Sequence, residues 1–165
     1  MAEDRRPMPF RAARLEPMKI HALPSDVLTA ARDRAGTDEF TELRPSEPGA
    51  PLRCCLRKAV ADEPVVLFRY APTAGRGPYA ESGPVFAHFE PCAGPDHTDR
   101  FPEAFAKAPR LLRAYNTLGR IETGTLAAPE AVNDTLVELF NNPTITEVQI
   151  RSASHGCYLF SITPE

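Results

Sequence analysis

Four cysteines and four histidines are the side chains of this 165-residue chain best suited to nucleophilic or metal chemistry. His88-x3-Cys92 has ligand-like spacing at the end of an apolar run, and His97 follows five residues later. With Cys55 and Cys157 these residues supply enough soft or borderline donors for a zinc site. Against that, no intact Cys-x2-Cys pair exists, because Leu52 stands where one would be completed with Cys55. Free cysteine is also among the most buried residue types and often simply packs. No metal ligand is therefore assigned, and zinc is kept as a structural option. The second chemistry is thiol catalysis: Cys92 or Cys55 as nucleophile, with His88 as the base that forms the thiolate. Cys54 and Cys55 are neighbours and, on a strand, would point to opposite faces.

The loop Arg76-Gly-Pro-Tyr-Ala-Glu-Ser-Gly-Pro84 has another character. Two Gly-Pro steps stiffen it, and Tyr79, Glu81 and Ser82 offer polar tips. Ligand contacts concentrate on loops carried by a rigid scaffold. With Arg53, Arg113, Tyr115, Arg151 and His155, Tyr79 and Ser82 are expected to line a pocket for an anionic or polar small molecule. Arginine suits that task because its planar fork meets carboxylate or phosphate at two points. The segment from Ser82 to His88 is the centre of this reading.

The elements that must position these residues are short. A strand is expected over 18–23, and a helix follows Ser25, a good N-cap, until Gly36. Residues 37–51, with three prolines and a glycine, read as a loop. Strands are expected over 52–58, over Val65-Val-Leu-Phe-Arg-Tyr70 and over 85–89. A hairpin turns at Asn116-Thr-Leu-Gly119. The clearest helix spans 129–141, with Val132, Leu136, Leu139 and Phe140 on one side and Glu130, Asp134 and Glu138 opposite. Two last strands, 145–151 and 157–162, flank a tight turn. About seven strands, mostly adjacent in sequence, predict an α+β fold with one largely antiparallel sheet and two helices packed on it.

Composition bounds the function. Hydrophobic residues make up 42% and charged residues 25%, as in an ordinary globular domain. A net charge of −3 with interspersed signs gives no basic footprint for nucleic acid. No apolar stretch approaches the roughly 18 residues of a membrane span, and residues 1–16 carry no apolar run of signal-peptide length, so no targeting segment is expected there. The expectation is one cytoplasmic domain over 17–165 behind a flexible tail over 1–16. Eighteen prolines, about twice the usual share, imply many rigid loops. Gly75-Arg-Gly-Pro-Tyr-Ala80 formally fits a dinucleotide fingerprint, yet no helix can start at its phosphate end.

Four blocks carry a resemblance: Pro51-Leu-Arg-Cys-Cys-Leu56, Tyr79-Ala-Glu-Ser-Gly-Pro-Val-Phe-Ala-His88, Leu112-Arg-Ala-Tyr-Asn116 and Arg151-Ser-Ala-Ser-His-Gly-Cys-Tyr158. In order and spacing they resemble a bacterial domain of unknown function, number twelve hundred and three. The resemblance implies a small soluble bacterial protein and supplies no activity. It also marks departures: a cysteine is usual in that family where Leu52 stands, an aspartate where Asn116 stands, and an asparagine where Ser152 stands. The resulting expectation is a small-molecule-binding or catalytic domain, acting on a biosynthetic intermediate. A protein-interaction module, with a homodimer as one form, and a zinc-stabilised structural domain are the alternatives.

Overall fold

The computed structural model describes residues 17–165, so the expected tail over 1–16 lies outside the described residues. In chain order the elements are β1 (Met18–His21), α1 (Ser25–Arg34), β2 (Thr41–Pro45), β3 (Pro51–Leu52), β4 (Arg57–Lys58), β5 (Pro64–Tyr70) and β6 (Gly83–His88). After a long loop come β7 (Arg110–Asn116), β8 (Ile121–Ala127), α2 (Val132–Phe140), β9 (Ile145–Ser152) and β10 (Tyr158–Pro164).

The expected single sheet of about seven strands is replaced by two five-stranded sheets. One has the order β1-β10-β9-β7-β8, and the other β2-β5-β6-β3-β4. Pairing is antiparallel except where β3 runs parallel to β6 at Leu52 and Phe86. Long-range closures of this kind leave no local sequence signal. The proline-rich stretch taken for a loop supplies edge strand β2, which pairs with β5 from Thr41 opposite Phe68 to Pro45 opposite Pro64. Proline is tolerated there because an edge strand has a free side.

Each sheet carries one helix on its apolar face. Val132, Leu136 and Leu139 of α2 are buried against Leu112, Ala114, Val148 and Ile150. Burial of that order stabilises by about 1.5–3 kcal/mol per large side chain. Leu28 and Ala31 of α1 join a second core with Val65, Val66, Phe68, Val85 and Ala87. Pro24, not Ser25, holds the N-cap position of α1, and no side chain caps it. None of the described helices is long and apolar enough to cross a membrane.

The face of the first sheet turned away from α2 is polar: Tyr115, Glu147, Gln149 and Arg151 stand there. Residues 71–82, the connection from β5 to β6, fold over it. Arg76 pairs with Glu147, and its guanidinium sits 5.0 Å from the Tyr115 ring centroid. Gly119 (φ 71°) makes this approach possible, since a Cβ there would lie 3.0 Å from the Arg76 Cδ.

Candidate functional site

Strand β6 joins two distinct groups of chemically competent side chains. Its six residues run for about 20 Å at the rise of an extended strand. The expected single pocket around Ser82 to His88 is therefore divided, with Ser82 at one end and His88 at the other.

At the Ser82 end, a cleft of about 250 Å³ opens between the start of β6 and the turn before β10. Glu81, Ser82, Arg151, His155, Cys157 and Tyr158 contribute to its walls. The turn depends on Gly156, whose φ of 72° suits a residue without a Cβ. Arg151 is 6% exposed and holds this turn by donating to the Gly156 carbonyl at 3.2 Å. Its Nη2 donates to Gln149 at 2.7 Å and to Glu81 at 2.5 Å, while its buried Nε has no partner among the described residues. Glu81 also pairs with Arg113. The Glu81 backbone is fixed from below, where its N–H donates to the fully buried Thr73 hydroxyl at 2.9 Å. The stiff Gly-Pro loop thus presents one carboxylate to two arginines at the mouth of a cleft.

Of the residues expected in one pocket, Ser82, Arg151 and His155 do meet here. Arg113 reaches the cleft only through Glu81. Tyr115 is buried at 1% exposure, donating to Gln149 at 3.4 Å, so it supports the floor of the polar network. Tyr79 sits half-buried in a short 3-10 turn, outside the residues lining the cleft. Arg53 also lies outside the residues lining the cleft. It is 2% exposed and donates to the carbonyls of Tyr158 at 2.9 Å and Pro51 at 2.6 Å, clamping one sheet to the other. Burial pulls its pKa down to about 10.

The His88 end is a cluster of thiols and an imidazole. The expected strand over 52–58 is broken by a turn at 53–56, in which the Leu56 N–H bonds the Leu52 carbonyl and Leu56 takes a φ of 57°. That turn, absent from any Gly or Asn signal, corrects the expectation that Cys54 and Cys55 diverge. Their sulfurs lie 3.9 Å apart, and His88 Nδ1 is 3.3 Å from Cys54 Sγ and 3.8 Å from Cys55 Sγ. Cys92 completes the group: the four ligand atoms all lie within 4.8 Å of one another. The His88 backbone N–H also donates to Cys54 Sγ at 3.2 Å.

The opposite ring nitrogen of His88 faces a charged pair. Arg57 donates to Nε2 at 2.7 Å, and Glu63 Oε1 stands 3.4 Å away. Arg57 and a backbone N–H hold the Glu63 carboxyl down at about pKa 2. Because arginine can only donate, Nε2 is the acceptor in this arrangement and Nδ1 carries the proton toward Cys54. The Cys54 thiol donates to Cys55, which lowers the pKa of Cys55 and raises that of Cys54, while burial raises Cys92. Arg32 of α1 anchors the end of β6 by donating to the His88 carbonyl at 3.1 Å.

The sequence-derived trio His88, Cys92 and Cys55 is thus brought together, and Cys54 joins it. Cys157 lines the other cleft, and His97 contacts Arg100 instead. Sequence reasoning missed Cys54 and Arg57 because a strand through 52–58 would not bend them toward His88, and Glu63 because it lies in the connection between two expected strands.

These features define an α+β domain of two small sheets, with a polar cleft and a thiol–imidazole cluster at opposite ends of one strand. The chain belongs to the protein family of unknown function DUF1203, whose family model matches residues 49–163. That match covers the loop over the polar face, all of β6 and the turn before β10. Neither a curated protein nor a solved structure matches the chain.

Proposed function

We propose that this domain binds a small anionic molecule, bearing a carboxylate or phosphate, in the cleft between Glu81–Val85 and His155–Tyr158. The observation that carries this reading is Arg151: a buried guanidinium on the cleft wall, with one N–H unpartnered among the described residues and another held by a carboxylate from a rigid loop. Burial lowers the local dielectric and strengthens the attraction of a guanidinium for an anion. Glu81 occupies the position that a ligand carboxylate would take, so it acts as an internal competitor. The cleft volume, below the usual range for drug-sized ligands, suits a compact acid or phosphate. His155 and Ser82 add hydrogen-bonding groups at the rim. Four unpaired thiols suit a reducing compartment, and the cytoplasm is the proposed location.

The test is calorimetric titration of the purified domain with inorganic phosphate, acetate and citrate at low ionic strength. Saturable binding at one site, weakened at least tenfold in Arg151→Lys and in His155→Ala, is the expected result. Two variants are used because Arg151 also holds the Gly156 turn. Binding of none of the three probes, or binding unaffected by both substitutions, would exclude the cleft.

A further inference from the structure

We propose that Cys54, Cys55, His88 and Cys92 form a binding site for one zinc ion, with His88 coordinating through Nδ1. Three thiolates and an imidazole are a standard donor set for closed, tetrahedral zinc. With Zn–S near 2.3 Å and Zn–N near 2.0–2.1 Å, tetrahedral geometry sets ligand atoms about 3.5–3.8 Å apart. The separations of 3.9 Å between the Cys54 and Cys55 sulfurs, and of 3.3 and 3.8 Å from those sulfurs to Nδ1, already approximate that spacing. All four atoms lie within 4.8 Å, so Cys92 completes the sphere with a movement on the order of 1 Å. Being exposed, on the loop just beyond β6, it has room to make it.

The surroundings fit a metal as well as the ligands do. A metal-bound histidine characteristically donates its other ring N–H to a carboxylate, which fixes the tautomer and ring orientation. Glu63 stands 3.4 Å from Nε2 and is itself held by Arg57 and by the Val60 N–H at 2.8 Å. When Nδ1 takes the metal, its proton is released and Nε2 is protonated, turning from acceptor of Arg57 to donor toward Glu63. Arg57 then keeps its two contacts with Glu63 and its donation to the Lys58 carbonyl at 2.8 Å. Each thiol that coordinates gives its proton to solvent. The backbone N–H of His88 continues to donate to the Cys54 sulfur, offsetting part of the negative charge of three thiolates.

The turn geometry supports the same role. Adjacent cysteines can serve one ion only if the chain between them bends, and the turn at 53–56 does this with Leu56 in the left-handed region. A non-glycine residue there carries a conformational cost. Zinc would pin this turn, the end of β6 and the long loop beyond Cys92 to one another. This site is separate from the anion cleft, and the fate of one proposal does not decide the other.

The experiment is elemental analysis of untagged protein purified without chelator, followed by X-ray absorption at the zinc edge. One zinc per chain with three sulfur ligands and one nitrogen is expected. Cobalt(II) added to reduced, metal-free protein should give thiolate-to-cobalt charge-transfer absorption that saturates at one equivalent. Cys54→Ser and Cys92→Ser should each lose that absorption band or shift it. Because a ligand variant can simply misfold, Glu63→Gln is the second probe: it keeps all four ligands and should weaken zinc about 10- to 100-fold. The proposal is overturned by protein that carries no zinc and gives no cobalt spectrum, by an equimolar metal other than zinc, or by isolation of a disulfide among Cys54, Cys55 and Cys92 in place of metal. Unchanged zinc affinity in both Cys92→Ser and Glu63→Gln would overturn it too.

Discussion

Neutralising Glu81 is expected to tighten anion binding while weakening the fold. Glu81 Oε1 accepts from Arg151 at 2.5 Å and also from Arg113, so one carboxylate offsets two guanidinium charges. At an effective dielectric of about 20, unit charges about 4 Å apart attract by roughly 4 kcal/mol. The Glu81 side chain is 41% exposed, so solvent screening reduces the usable part to about 1–2 kcal/mol. An anion in the cleft feels that same charge as repulsion. Glu81→Gln keeps the side-chain shape and most of the hydrogen bonding while removing the charge. It should therefore raise the affinity for inorganic phosphate by about 5- to 30-fold, at 1.4 kcal/mol per tenfold. Titration calorimetry of wild type and variant at equal pH and salt reads this directly, and added salt should narrow the gap. The fold should lose about 1–2 kcal/mol in urea, as Arg151 then has no charged partner. Equal or weaker affinity in a folded Glu81→Gln protein would refute the idea of an internal competitor.

Other substitutions probe the frame around the cleft. Arg53→Met should cost about 2–4 kcal/mol in urea unfolding, because it strands the Tyr158 and Pro51 carbonyls that Arg53 now serves; a cost below about 1 kcal/mol would show that the clamp is replaceable. Phe160 is fully buried, with Phe101 and Phe105 rings centred 5.4 and 5.9 Å away, so Phe160→Ala should cost about 3–5 kcal/mol and release the loop before β7 to faster hydrogen exchange. Burial holds the His21 pKa below its ordinary value, with Lys19 adding to the shift. The folded state then resists the proton more than the unfolded chain does, so stability should fall as pH drops through the ordinary histidine range near 6.5. His21→Asn should flatten that part of the profile, measured as urea midpoint against pH.

Much of this fold was legible in residue type and short-range spacing. The pattern in Val65 to Tyr70, the hairpin at Asn116 to Gly119 and the apolar side of α2 all follow from local rules, and β5, β7, β8 and α2 stand where those rules put them. Strand pairing beyond the hairpin was not legible. Whether ten strands form one sheet or two depends on contacts between distant residues, such as β3 lying parallel to β6. β2 escaped notice because its proline and charges, and the prolines just after it, read as loop, and an exposed edge tolerates both. The site shows the same division. His88, Cys92 and Cys55, singled out by residue type, do meet. The turn that adds Cys54 has neither glycine nor proline within it, so a run of apolar residues read as a strand. Glu81 was visible only as a polar loop tip, since its two arginine partners lie about 30 and 70 positions further along.

The anion cleft is tested most directly by nitrogen-15 NMR of labelled protein titrated with inorganic phosphate. The resonance of the Arg151 Nε–H, unpartnered among the described residues, is the reporter. It should shift saturably with the amides of Ser82, Gly83 and Val85 and of residues 155–158, while the amides of residues 53–56 at the far end of β6 stay in place. Saturable shifts located elsewhere, or no shift at Arg151 Nε as phosphate is raised, would contradict the account.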